Sequence, residues 1–505
     1  MGMTKGEKIG QLLILGFEGT TFEKGAQDLI KNFAPGGIYI RRRNFSDASQ
    51  IQTLISQIQA YNKQYHPSSP PLFICVKQDD GSDVTITKDI TPFPSNMGMS
   101  NVKQISKIGE VYEITAQELR SLGINMLFGP CIDVNDNPAN PTIGLMSFSS
   151  DPDVVAKLGR LAVNGVIKGG LLPVVKHFPG QGSIDIDPRM ALPENNKKRS
   201  QLDRVELFPY GIILKKDAPS VMTSHVYYSS LDPLEKLTAT CSHNIITKLL
   251  RHKYGFEGLV ISDDMETAAI RKSIGLENAV RRGLSAGVDM FLISENVEHQ
   301  RDVIEYLKES INTGEIHLSR IEKSAERILA IKYAYMNREI KIKHKLCDKP
   351  SLKLSKSLFD ESIKVVKKTR GFLPVKSKTV QFIYPDLEHL RTQGQEFSFP
   401  SCFETELKKR GIKWTSIKYP YEPTIAEIDG IKSQLNKEMP VILFTFRQKF
   451  SASRQRLYEC ISKTFDVIQI ALSNPYDNHS RSAVFINTFG YHDRAISAVS
   501  KHLFE

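Results

Sequence analysis

Residues 176–193 read KHFPGQGSIDIDPRMALP and follow the apolar run LLPVV at 171–175. A short apolar run of this kind reads as a buried strand, so Lys176 and His177 stand where that strand ends and project beyond it. Paired donors at such a rim suit hydroxyl-rich ligands; the alternative is a surface lysine and a histidine satisfied by backbone groups. Gly180, Gly182 and Pro188 then mark a loop, and that loop carries Asp187 and Arg189. An Asp and an Arg at this spacing form a fixed ion pair. Arginine keeps its proton across the accessible pH range, so Arg189 cannot act as a general acid or base.

On either side of this stretch, short β-type runs alternate with helical segments. The strand candidates are 11–17, 36–40, 71–77, 124–132, 172–177, 221–227, 258–262 and 288–294. Between and after them lie helix-type segments at 47–64, 101–122, 151–168, 198–215, 243–254, 271–286, 299–313 and 319–336. Eight strands each followed by a helix predict a (β/α)8 TIM barrel rather than an open sheet. The chemically notable motifs all fall just past strand C-termini, where barrel active sites are built.

At 505 residues the chain exceeds a single core, so a second domain is expected. The barrel is assigned to 1–338, a linker to 339–350 within the charged stretch NREIKIKHKLCDKP, and a second domain to 351–505. There, β-like runs at 379–384, 413–419, 440–446, 466–472 and 483–489 alternate with helices such as 359–368, which predicts an α/β/α sandwich.

The net charge of +11 comes from Lys and Arg scattered over helical stretches, without a dense basic block interleaved with aromatics. A basic solvated surface is the favoured reading, and no nucleic-acid partner is expected. Six dispersed cysteines form no CxxC or Cys/His cluster, which suits a reducing compartment and indicates neither a disulfide frame nor a zinc site. The apolar run in MGMTKGEKIGQLLILGF is too short to span a bilayer and lacks a small-residue cleavage pattern, so it reads as a first strand. A cytoplasmic protein without a membrane partner is expected.

The 176–193 stretch resembles the catalytic loop of glycoside hydrolase family 3 β-N-acetylglucosaminidases, KHFPGHG followed by Asp-x-His and Leu-Pro. IGQLLILGFEGTT (9–21), GGIYIRRRN (36–44), LGINMLFGPCIDVNDNPANPTIGLMSFSSDP (122–152), LVISDDMETAAI (259–270) and AGVDMFLI (286–293) resemble further family blocks. LSNPYD (472–477) is similar to a signature of its two-domain members. The residues alone leave Asp263, in Ser262-Asp263-Asp264-Met265, balanced between a catalytic carboxylate and a helix cap. The resemblance makes Asp263 the nucleophile and Asp264 the cap, and has Lys176 and His177 hold the sugar. It places His225 near the site, where a structural role is also open. Asp187 would orient the proton-shuttling histidine, whose position Arg189 occupies. Other departures lie close by. Gln181 replaces the histidine of GHG, Lys77 stands for the aspartate of VDQEGG in VKQDDG, and Met146 replaces the arginine of GDRSF.

The resemblance implies a retaining exo-β-N-acetylglucosaminidase acting on cell-wall muropeptide fragments in peptidoglycan recycling, without a metal or organic cofactor. The catalytic set is then Asp263, Asp187 and Arg189, and the substrate-binding set Lys176, His177, Lys77, Met146 and His225. Two rivals stand beside it: a catalytically inactive muropeptide-binding or scaffolding protein, and an enzyme whose Lys77 and Arg189 recognise an anionic group. Loss of general acid catalysis costs on the order of 10²–10⁴ in rate.

Overall fold

Short apolar strands, joined to their neighbours by two or three residue pairs, build the first unit of the computed structural model, which describes residues 2–78, 84–215, 217–336, 338–392, 397–477 and 480–505. Nine parallel strands follow one another around a single sheet. Its two end strands, Leu172–Pro173 and Val175–Phe178, are consecutive in the chain. The first pairs with Met126–Leu127 and the second with Ser220–Thr223, and a Cys131–Lys176 bridge helps to draw the ends together. The sheet thus curls into a nearly closed barrel, and the strands are largely apolar because both faces are covered, with polar residues gathered toward the C-terminal ends of Val175–Phe178 and Leu259–Asp264. Helices form the outer ring. In Pro152–Lys168, Asp151 caps the first turn, and Val155, Leu158, Ala162 and Val166 repeat at helical spacing on the buried side. Gly165 lets that helix approach Lys107–Ser121 closely, since a Cβ there would lie 2.3 Å from the Gly109 carbonyl oxygen.

The second sheet has six strands, ordered Lys364–Lys368, Val484–Asn487, Val467–Ala471, Val441–Thr445, Thr379–Pro385 and Lys413–Tyr419. All pairs are parallel except the first. Along the central strand, Ile442 and Phe444 join one apolar cluster while Val441 and Leu443 join another on the opposite face. Helices 401–409 and 493–504 pack on the first cluster and helices 425–433 and 452–462 on the second, which makes the three-layer sandwich.

Several expectations change in detail: the 124–132 strand is reduced to Met126–Leu127, 172–177 divides into Leu172–Pro173 and Val175–Phe178, and the 101–122 helix begins at Lys107. The first strand is only Leu13–Leu15, because Lys5–Gln11 is a helix closed by a Thr4–Glu7 capping box. The 198–215 helix divides into Arg199–Arg204 and Leu207–Ile213. The break falls where the buried Glu206 accepts bonds from Ser183 and Asn195 and pairs with Lys197. The 359–368 helix ends at Ser362, and Lys364–Lys368 is the antiparallel edge strand.

Candidate active site

At the C-terminal end of the barrel lies a cavity of about 500 Å³ lined by Lys77, Met146, Lys176, His177, Gln181, Asp187, Arg189 and Asp263, among others. The strand Leu259–Asp264 delivers Asp263, whose side chain is 26% exposed and therefore reachable from the cavity. Its Oδ1 accepts the Asp264 N–H at 2.8 Å, while Oδ2 lies 3.9 Å from His177 Nε2. The strand Val175–Phe178 delivers Lys176 and His177, both buried. Lys176 Nζ donates to the Phe128 carbonyl at 2.6 Å.

His177 is fixed by Asp133, a residue the sequence reading passed over. Asp133 Oδ2 lies 2.7 Å from His177 Nδ1, and Oδ1 accepts the backbone N–H groups of His177 and Gln181 at 3.0 Å each. Burial pushes the Asp133 carboxyl up, but the His177 charge and these hydrogen bonds outweigh it and hold it below the usual carboxylate range. A carboxylate on Nδ1 turns the other ring nitrogen toward the cavity and Asp263. The available signal was an acid directly after an apolar run, Cys131-Ile132-Asp133. Cys131, Asp133 and His177 bring ligand-type atoms within 4.8 Å of one another. The Asp133 oxygens already accept from His177, Gln181, Tyr210 and Cys131, so the cluster reads as a hydrogen-bonded anchor rather than a metal cage.

The 180–184 part of the loop is pinned. A Cβ on Gly182 would meet the Val134 carbonyl oxygen at 1.7 Å, Asn137 donates to the Ser183 and Ile184 carbonyls, and Tyr228 donates to that of Gly180. Beyond it the chain reaches the rim, where Ile186 and Met190 are exposed. Asp187 and Arg189 form the expected pair. Arg189 Nε lies 3.0 Å from both Asp187 oxygens and Nη2 2.6 Å from one. Burial pushes the Asp187 carboxyl up, yet its bonds to Arg189 prevail and, with Arg447 adding to them, hold it below the usual range.

His225 is completely buried and is not among the cavity-lining residues. Its Nε2 donates to the Asp264 carbonyl at 3.1 Å, which leaves Nδ1 to accept from the Thr240 hydroxyl at 2.9 Å. Burial lowers its pKa, and its contacts brace the end of the Leu259–Asp264 strand. Asp264 also differs from expectation. It accepts the Glu266 N–H within the turn and the Ser294 hydroxyl, and the next helix has Thr267 at its N-cap. Gln181 lines the cavity, and its Oε1 is buried without a hydrogen-bond partner among the described residues. Arg41 and Arg42 also line the cavity, from the quoted GGIYIRRRN block. Of VKQDDG, Asp79, Asp80 and Gly81 lie outside the described residues.

Residues 4–331 match the family model for the glycosyl hydrolase family 3 N-terminal domain. The chain belongs to glycosyl hydrolase family 3. It is 30% identical over 441 residues to the β-hexosaminidase A of Pseudoalteromonas piscicida, spanning 82% of this chain and 72% of that protein. Over 317 residues it is 30% identical to a β-hexosaminidase of Alkalilimnicola ehrlichii, 61% of this chain and 88% of that one. A family 3 β-N-acetylglucosaminidase from Paenibacillus sp. str. FPU-7 superposes with a TM-score of 0.91 at 29% identity, covering 100% of this chain and 97% of the other. As a family 3 glycosidase, the chain has a carbohydrate as its substrate or ligand. Among the described residues, no helix is long and apolar enough to cross a membrane.

Proposed function

We propose that this family 3 protein is a retaining exo-β-N-acetylglucosaminidase for N-acetylglucosamine-terminated muropeptide fragments, working in the cytoplasm in peptidoglycan recycling, with its acid/base step weakened. The carrying observation is Asp263, presented at a barrel-strand end to the cavity, with the Asp133-held His177 Nε2 3.9 Å away. The β-hexosaminidase and β-N-acetylglucosaminidase relatives support the choice of sugar.

In this reading Asp263 attacks the anomeric carbon and forms a glycosyl ester, which water then opens. Lys176, His177 and Gln181 border the same cavity and supply polar contacts to the ring substituents. Arg189 cannot protonate the departing oxygen, and Asp187, held as a carboxylate by that arginine, has no proton to give near neutrality. Turnover therefore favours leaving groups that depart as stable anions. The Arg189–Asp187 pair equally favours a second reading, a sugar-binding protein without turnover.

The deciding measurement is hydrolysis of 4-nitrophenyl β-N-acetylglucosaminide by wild type and Asp263→Ala, alongside ligand-induced melting shifts and circular dichroism. Turnover lost in the folded variant supports the enzyme. Wild-type turnover in that variant refutes Asp263 as nucleophile, and a melting shift without any turnover establishes the binding protein.

A further inference from the structure

Among the described residues, every one that lines the Asp263 cavity belongs to the barrel. One wall of that cavity is nevertheless built against the sandwich. Met146 lines the cavity and ends a short 3₁₀ turn, Gly144–Met146, in which the Met146 N–H donates to the Ile143 carbonyl at 2.8 Å. A single turn of this kind makes too few bonds of its own to keep one shape, so its place depends on what it packs against. Leu145, the residue before Met146, is buried in a small apolar cluster with Met97 of the barrel and Phe489 of the sandwich. The two faces of one turn thus meet the cavity and the second domain.

Phe489 is set for this contact. It is 6% exposed and stands in the left-handed region at φ 52°, a costly conformation for a bulky aromatic residue that persists only where the surroundings over-determine it. Bonds on both sides hold it there. The N–H of Thr488 donates to the Ala471 carbonyl at 3.1 Å within the sandwich, and the Ser95 hydroxyl of the barrel donates to the Phe489 carbonyl at 2.7 Å. Ser95 also caps the turn Asn96–Met99. The next residue, the fully buried Asn96, donates Nδ2 to the Met146 carbonyl at 2.7 Å and accepts from the Tyr112 hydroxyl at 2.6 Å. Phe489 therefore reaches the Met146 turn twice, directly on Leu145 and through Ser95 and Asn96. Upstream, Arg447 and Tyr476 of the sandwich donate to the Pro141 and Asn135 carbonyls, so the same barrel segment is held along its length.

We infer that Phe489 is a positioning residue for the sugar cavity: without lining it, the sandwich fixes the Met146 wall by seating Leu145 and the Ser95–Asn96 turn behind it. The inference rests on the reading above only in placing an N-acetylglucosamine unit at Asp263, and it holds for an enzyme and for a binding protein alike.

Full-length variants test it by calorimetry with N-acetylglucosamine and by amide hydrogen exchange. Phe489→Ala should weaken sugar binding at least about tenfold and speed exchange of the Met146 amide, because the turn that holds it opens more often. Phe489→Leu refills the apolar cluster and should stay within about threefold of wild type. Val499→Ala hollows the sandwich's own apolar cluster away from the turn; it should lower the melting temperature and leave affinity within about twofold. From the barrel side, Leu145→Ala should reproduce the loss, and the two losses together should fall well short of additive, as for residues in one contact. Wild-type affinity in folded Phe489→Ala, an equal loss in Val499→Ala, or additive losses in the cycle would each overturn the positioning role and leave the sugar site standing. Should Phe489→Ala not fold, unchanged binding and exchange in Leu145→Ala would overturn it instead. N-acetylglucosamine that fails to bind wild type would remove the sugar reading and the inference together.

Discussion

At the barrel rim, Arg189 offers Asp187 two guanidinium nitrogens, while its own side chain is 72% exposed. So open an ion pair adds little to stability; in the proposed mechanism its effect is chemical, because it keeps Asp187 ionised and puts a permanent cation where that mechanism needs a proton donor. Wild type should therefore cleave nitrophenyl glycosides far faster than the corresponding disaccharides. Arg189→His should narrow that ratio, within the 10²–10⁴ that general acid catalysis supplies, and introduce a pH dependence near neutrality. Adding Lys77→Asp and Met146→Arg should raise turnover further and non-additively, because all three residues border one cavity. An unchanged ratio in the folded single and triple variants would place the defect elsewhere. Asp264 gives a second residue-level expectation. Burial, reinforced by the charges of Glu266 and Asp263, pushes it up to about 6 against its bonds to Ser294 and Glu266. Between the ordinary carboxyl range and about pH 6, the folded state keeps a proton that the unfolded chain gives up, so rising pH weakens the fold through that window. The full penalty, on the order of 2–3 kcal/mol, is present above it. Asp264→Asn should therefore gain melting temperature relative to wild type as pH rises from 4 to 6, then hold level. A constant difference across that range would refute the assignment.

Among the elements, those that bring the site together were legible where their patterns were strong and local. The run LLPVV and the following KH announced the strand that presents Lys176 and His177, and the Asp187–Arg189 pair followed from two residues in one loop. Asp133 was not legible as the anchor of His177, because the partners lie 44 residues apart and meet only when the barrel closes. His225 was ambiguous for a similar reason. Its bonds go to the Asp264 carbonyl and to Thr240, on other elements. Lys364–Lys368 was missed because KVVKK exposes alternate residues and carries the lysines common on edge strands, so its β pattern is weak against the preceding helix. The Thr4–Glu7 capping box was present in the letters, but the apolar run that follows it drew the strand reading, and Gly6 and Gly10 inside Lys5–Gln11 weaken its helical pattern. Close packing is equally invisible in composition. Gly182 sits against the Val134 backbone, so Gly182→Ala must push apart the 134 and 182 loops that frame Asp133. The expected cost is about 2–3 kcal/mol, read as a lower denaturant midpoint, together with a loss of turnover exceeding what the stability change explains. A variant as stable as wild type would show that the two loops are not held in register by this contact.

In the whole molecule, the 339–350 stretch is more than a tether. The N–H groups of Lys343 and His344 donate to Gln117 Oε1 at 2.8 and 3.0 Å, and that of Cys347 donates to Glu118 Oε1 at 3.1 Å. Gln117 and Glu118 are buried on the barrel helix Lys107–Ser121, and Glu118 also accepts from Thr91. The strap therefore covers polar groups of the barrel. The helix that follows, Lys349–Ser362, serves both units. Leu358 belongs to the barrel's apolar cluster, the adjacent Phe359 belongs to the sandwich's, and Ser355 donates to the Pro92 carbonyl. Charged, low-glycine composition suggested a linker because it says nothing of where backbone N–H groups go. On these contacts we place the barrel's cooperative boundary after residue 362. A chain ending at 336 should then melt well below one ending at 362. For a domain of this size each 1 kcal/mol lost shifts the midpoint by roughly 1–2 °C, and several apolar and polar contacts are removed together, so a difference above about 3 °C is expected. Thermal melts of the two truncated chains followed by circular dichroism decide it. Equal midpoints would make the strap a passive connection and return the boundary to 339–350.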